Sequence, residues 1–429
     1  MNQILFKFRN TIIIFVALMA IYTFLLCVAF LPANTYLMGN YTHSVAVLDR
    51  EGDYPSIFDS PASTLDNFTD KLMVNTVIKD ESQSFFASAF SANEYARYWH
   101  GYLIYLRPLM LFLNYAQIRH LNIFLVFFLL CYSFLLMYTR IGSLEASSFL
   151  LAMCMSHIAI IPLSLQFMST HIIMLIATLK LLLHFPNGKL KLRQLCYFFF
   201  IIGSVTNFLD LLTAPIITLG IPLTISYMLL EKKHDSIPDD SGVSKPKAKT
   251  LLKHESQGKK QFRANFYFAL ENSIFWGFGY AFTWIMKWVF GTAVLNQNVF
   301  LSASNAIQFR LMGNEHHPTT PLNALLANIR VMFPGFVLSI VLVLFIIGLG
   351  ACAISATKSG GEKMQDYLPL ILIALYPYIW TIVLSNHTQI HAFFTYRMQT
   401  VTIIALAFYF VRCSTSDSIK EKMHNILFR

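Results

Sequence analysis

Residues 11–31 read TIIIFVALMAIYTFLLCVAFL, 21 residues without a charge. Water gives such a run no favourable exposed face, whereas a bilayer accepts it. About 20 helical residues cross the hydrocarbon core, and a helix satisfies its own backbone hydrogen bonds where no water can. Nine further apolar runs follow, at 121–138, 145–163, 166–184, 194–209, 213–230, 266–290, 331–350, 367–384 and 398–412. The expectation is an all-α polytopic membrane protein with about ten transmembrane helices, forming a single transmembrane domain over residues 1–429. With 56% hydrophobic and 13% charged residues, the composition excludes an ordinary soluble globule. A cleaved signal peptide is not expected, because the first run is long and no small-residue cleavage site follows it.

The net charge of +10 reads as topology, not as a nucleic-acid surface. With the N-terminus inside, 21 of the 32 Lys and Arg fall in inside segments: Lys7 and Arg9, Arg140, the Lys189 to Arg193 turn, residues 232–263, Lys358 and Lys363, and residues 412–429. Both termini are then cytoplasmic. Residues 231–265 form a basic cytoplasmic linker rich in Lys, Ser, Asp and Gly, read as flexible or as a contact for anionic membrane lipids. The six cysteines all lie in or beside apolar runs with no CxxC pair, so no disulfide framework is expected. No repeat of fixed period is visible.

Polar chemistry gathers on the outer side, in loops 32–114, 291–330 and 385–398. Nine of the 22 acids lie in the first of these, in two clusters above all: DREGDYP, with Asp49, Glu51 and Asp53, and LDNFTD, with Asp66 and Asp70. Apolar spacing in 65–77 predicts a short amphipathic helix on the membrane surface, with Asp66 and Asp70 four residues apart on one face. Two such carboxylates repel unless they share a proton or cation, which suits a general base or a divalent-metal site. Asp66 beside a helix N-terminus would be equally well placed. Downstream, ANEYARYWHGYLIYLRP brings Arg97, Trp99, His100 and Arg107 together. Arg107 sits in an apolar stretch that calls for a carboxylate or phosphate partner, unless it snorkels to the interface.

In TNFLDLLTAP, Asp210 either caps the following helix or supplies a second catalytic carboxylate. Lys287 in WIMKWVFG either snorkels or binds an anion. SNHTQIHAFFTYR places His387 and His391 at i, i+4, beside Tyr396 and Arg397. HTQIH lacks the glutamate of a zinc protease, and the group fits a phosphate cradle instead. FRLMGNEHHPTTP adds Arg310, Glu315, His316 and His317, the histidines being candidates for substrate contact. NYT, NFT and NHT, at Asn40, Asn67 and Asn386, match the glycosylation acceptor pattern only weakly.

This layout resembles the polytopic glycosyltransferases of the GT-C fold: one span, a long acidic outer loop with surface helices, many further spans and a late outer His/Tyr/Arg cluster. The resemblance covers the arrangement of nearly the whole chain, through LDNFTD, YWHGYLIYLRP, TNFLDLLTAP and NHTQIHAFFTYR. It implies a polyprenyl-phosphate or polyprenyl-diphosphate sugar donor and a cell-envelope acceptor, whether polysaccharide, lipid or protein. It also implies action on the extracytoplasmic side of a bacterial plasma membrane. By that likeness a first-loop acid activates the acceptor hydroxyl, with Asp49, Glu51, Asp53, Asp66, Asp70 and Asp210 as candidates. The donor phosphate falls to Arg97, Arg107, Lys287, His387, His391, Tyr396 and Arg397, and acceptor contact to Trp99, His100 and His316. A divalent cation, Mg or Mn, stays open. The rivals are a flippase or transporter, or a polymerase, for lipid-linked saccharides. The scarcity of mid-span charge favours chemistry at one face over transport.

Overall fold

The computed structural model describes residues 2–90, 95–235, 247–359 and 362–414. Glu94, most of the basic tail and residues 236–246 of the expected linker lie outside them. The chain enters with α1 (Asn2–Ala29), and the segment expected to be the first outer one folds as α2 (Met38–Glu51), α3 (Asn67–Asn75), α4 (Phe85–Phe90) and α5 (Leu103–Met110). Six helices follow: α6 (Tyr115–Arg140), α7 (Ser143–Met155), α8 (Leu165–His184), α9 (Leu195–Leu209), α10 (Ile216–Asp235) and α11 (Lys247–Leu295). The second outer segment is α12 (Val299–Met312), a two-residue hairpin pairing Gly313 and Asn314 with Pro318 and His317, and α13 (Pro321–Met332). The chain ends in α14 (Phe336–Ser359), α15 (Glu362–Asp366), α16 (Leu368–Val383), α17 (Ser385–Ile390), α18 (Ala392–Thr395) and α19 (Thr400–Ser414).

Among the described residues, seven helical stretches are long and apolar enough to cross a membrane: Leu5–Ala29, Tyr115–Arg140, Leu165–His184, Leu192–Leu209, Phe336–Thr357, Met364–Val383 and Ala392–Ser414. They correspond to seven of the ten expected spans. The runs at 145–163 and 213–230 fall in shorter apolar helices, Ser143–Met155 and Ile216–Glu231. The run at 266–290 lies inside α11, which carries Glu271 and Lys287. This helix also begins at Lys247, within the stretch expected to be a flexible linker, where Ala, Lys, Leu, Glu and Gln favour helix.

Helix α1 runs parallel to α9, touching it through Asn10 and Tyr197, Phe15 and Phe200, and Tyr22 and Ser204. Against α9 lies α11, at a distance only glycine allows: a Cβ at Gly203 would sit 2.0 Å from the Trp276 carbonyl oxygen, and one at Gly279 2.0 Å from that of Phe200. Small residues at a helix crossing are how membrane helices gain contact, since lipid supplies no hydrophobic drive. By contrast, α14 exposes Ile340, Leu342, Val343, Ile346 and Ile347, as a lipid-facing span does.

The first outer segment is packed onto the bundle. Leu48, Met73, Val74, Trp99 and Leu103 share one core with Tyr22 and Leu26 of α1. So α3 does not lie free on a surface: Asn67, Asp70, Met73 and Val74 are all buried. The cap is pinned by Arg107, whose Nε donates to the Ala29 carbonyl at 2.8 Å, Nη2 to that of Pro32 at 2.9 Å and Nη1 to that of Val77.

Candidate active site

At the end of the bundle where α1 delivers the chain into the first outer segment, a cavity of about 190 Å³ opens. Its wall is drawn from α3, the 95–102 turn, the start of α8, the turn after α9, α12 and the α17–α18 pair. Asp66, Tyr98, His100, Arg310, His387 and His391 line it, and Tyr54 and Phe68 stack 6.3 Å apart at its rim.

The two LDNFTD acids part company here. Asp66 is the N-cap of α3: one carboxylate oxygen accepts from the Thr69 N–H at 3.0 Å and the other from the Thr69 hydroxyl at 2.9 Å. Burial raises its carboxyl to about 6, with Asp70 and Asp53 adding to the shift and Thr69 opposing it. Asp70 lies outside the cavity lining and accepts four hydrogen bonds, from Tyr115 Oη at 2.6 Å, Ser164 Oγ at 3.0 Å, Leu165 N at 2.8 Å and Gln166 N at 2.9 Å. Ser164 is the N-cap of α8 and makes no cap bond of its own. A carboxylate from α3 therefore caps α8 across the fold, where charge and the helix dipole reinforce one another. Of the pair, only Asp66 lines the cavity.

The DREGDYP acids hold structure as well. Glu51 takes Arg119 in bidentate fashion at 2.7 and 2.9 Å and accepts from Asn67 Nδ2 at 3.0 Å. Burial pushes its carboxyl up, but Arg119 and Asn67 more than offset that and hold it below the usual range. Asp49 pairs with Lys71. The Asp53 carbonyl accepts from the Phe68 N–H at 3.1 Å. Asp210 ends α9 and accepts from the Thr213 N–H at 2.9 Å, its buried carboxyl raised to about 7 by desolvation. It lies behind the cavity wall.

Of the expected cations, the structure brings His387 and His391 into the cavity. Their rings lie 4.9 Å apart. A carbonyl only accepts, so His387 Nε2 donates to the Leu212 carbonyl at 2.9 Å, and Leu212 is held at φ 72° to present it. Burial, with Arg310 next, drives His387 far below its ordinary range and His391 to about 4. Both are neutral at pH 7. His391 Nδ1 makes no hydrogen bond among the described residues. His100, at φ 54°, donates from Nε2 to the Tyr95 carbonyl at 2.9 Å and accepts at Nδ1 from the Tyr102 hydroxyl at 2.8 Å. Non-glycine residues at such φ are costly and cluster at functional sites.

The other sequence candidates sit elsewhere. Lys287 donates to the Phe90 carbonyl at 2.6 Å, and the Trp99 indole to that of Thr283 at 2.7 Å. Arg397 Nη2 and the Tyr396 hydroxyl both donate to the Ala62 carbonyl, at 3.2 and 3.0 Å, binding the first outer segment to the last helix pair. His316 is exposed on the hairpin. Arg97 lies over Tyr95 at 4.8 Å and Tyr98 at 5.3 Å, just outside the lining.

The cation that does line the cavity is Arg310. It was legible only as one basic residue of FRLMGNEHHP. Its guanidinium lies 5.4 Å from the Tyr98 ring centre and donates to the Tyr98 hydroxyl, and it makes no ion pair among the described residues. The tyrosines at 54, 95, 98 and 102 also went unmarked, since aromatics beside a membrane usually form a belt. Among the described residues, no three His, Cys, Asp or Glu come together as metal ligands.

No family model, no curated protein and no solved structure matches the chain. What fold and site define is a class: an all-α membrane protein with a polar, aromatic-walled cavity at one end of its bundle, lined by one carboxylate and one arginine among the described residues.

Proposed function

We propose that the protein is a membrane glycosyltransferase that moves a sugar from a polyprenyl-phosphate or polyprenyl-diphosphate donor to a cell-envelope acceptor at the extracytoplasmic face. The observation that carries this reading is that Asp66 and Arg310 line the same cavity. Transfer needs a base for the acceptor hydroxyl and a cation for the departing phosphate, and these side chains are of the two required kinds. Asp66 takes the acceptor proton as the acceptor oxygen bonds to the anomeric carbon. The bond from that carbon to the phosphate oxygen breaks, and Arg310 receives the charge on the leaving group. A carboxyl raised to about 6 is mostly ionised at neutral pH and is a better base than an ordinary aspartate. The neutral His387 and His391 supply uncharged hydrogen-bonding groups, and Tyr54, Tyr95 and Tyr98 give faces on which a sugar ring stacks.

In this reading the remaining apolar helices complete ten spans in a GT-C-like arrangement, and the basic end of the bundle faces the cytoplasm of a bacterial cell. The test uses protein reconstituted in vesicles with lipid extract from cells lacking it. Release of polyprenyl phosphate or diphosphate, with Arg310→Ala raising the apparent KM for donor at least tenfold, supports transfer. Movement of intact lipid-linked saccharide between leaflets without bond cleavage would identify a flippase instead.

A further inference from the structure

The opposite end of the bundle carries a second feature, unrelated to the transfer reading. Beyond the contact of Asn10 Nδ2 with the Tyr197 hydroxyl at 3.5 Å, α1 and α9 part, and a groove of about 910 Å³ opens between them. Phe6, Ile13 and Ile14 make its apolar side. Lys7, Arg193 and Tyr197 stand at its polar end, and no acid lines it among the described residues. Lys7 reaches past α1 to pair with Glu271 of α11. Arg193 is exposed and makes no ion pair among the described residues, and Lys189 and Lys191 extend the same basic turn.

Two properties coincide in this groove. Cations and one hydroxyl sit at the end of a helix long and apolar enough to cross a membrane, and an apolar floor continues from them along that helix. A free phosphate would use only the first. We propose that the groove holds an anionic phospholipid, with its phosphodiester against Arg193 and the Tyr197 hydroxyl and an acyl chain along Ile13 and Ile14. The lipid then fills the gap between α1 and α9 and ties the N-terminal half of α1 to the bundle.

The test is native mass spectrometry of the full-length protein in mild detergent with added phosphatidylglycerol or phosphatidylcholine, together with its melting temperature in each lipid. At least one phosphatidylglycerol should be retained in preference to phosphatidylcholine and should raise Tm. Arg193→Ala should cut its retention severalfold, and Tyr197→Phe, which keeps the ring, should lower it in the same direction. Arg330→Ala, an exposed arginine on α13, should leave it unchanged. Equal retention of both lipids would overturn the proposal, as would an unaltered Arg193→Ala. Displacement by glycerol 3-phosphate at concentrations matching the lipid would also overturn it, by showing a soluble-anion site.

Discussion

Asp66 and Asp70 are four residues apart and do different work. Asp66 takes two bonds from one threonine and lines the cavity, while Asp70 has all its bonding inside the protein. Asp66→Asn should therefore abolish transfer by about 10²-fold or more, the usual worth of a positioned base. The same change should raise stability at pH 7. The carboxyl ionises at 3.8 in an unfolded chain and at about 6 in the fold, so the folded state binds the extra proton. Its contribution is full below 3.8, declines as pH rises towards 6, and is lost above that. Asparagine caps a helix as well as aspartate does and carries no charge, so a gain of about 1–2 kcal/mol is expected in thermal melts. Asp70→Asn should do the reverse, costing about 1–3 kcal/mol by leaving donors of α8 poorly matched. For wild type, activity should fall about tenfold per pH unit below the Asp66 ionisation near 6. A profile flat down to pH 5 would remove Asp66 as the base. Sequence spacing picked out this pair but not its division of labour. Asp66 stands just before the helix, the second of the two places open to it, and three of the four partners of Asp70 lie some 95 residues away, with Tyr115 45 away.

At the scale of elements, apolar periodicity located most helices, because a run such as 331–350 has no other stable fate in lipid. It leaves three runs undecided, where length and charge disagree. The runs in α7 and α10 are short, and α11 carries buried Lys287 among apolar residues. The way the cap sits on the bundle was beyond it too, since Arg107 is satisfied by carbonyls of Ala29, Pro32 and Val77, which no motif announces. The α9–α11 crossing was likewise invisible. Its two glycines mark it only once the helices are seen side by side. Gly203→Ala should destabilise by about 2–4 kcal/mol, because the added methyl meets the rigid Trp276 backbone and not a yielding side chain. The check is the yield of monodisperse protein and its Tm, with Gly277→Ala, whose Cβ meets nothing within 4 Å, as the control.

Across the whole molecule, two ends differ in chemistry. One gathers a carboxylate, three neutral histidines and an arginine around a cavity, and the other gathers Lys7, Lys189, Lys191 and Arg193. Arg310 was hidden because one arginine in an outer segment looks like any other until a cavity forms around it. The most direct test is the profile of lipid-linked saccharides in cells lacking the protein, complemented at matched membrane levels with wild type or Asp66→Asn. Wild type should clear an accumulated polyprenyl-linked sugar, and Asp66→Asn should leave it accumulated. Clearance by Asp66→Asn equal to that by wild type would contradict the assignment of transfer chemistry to this cavity.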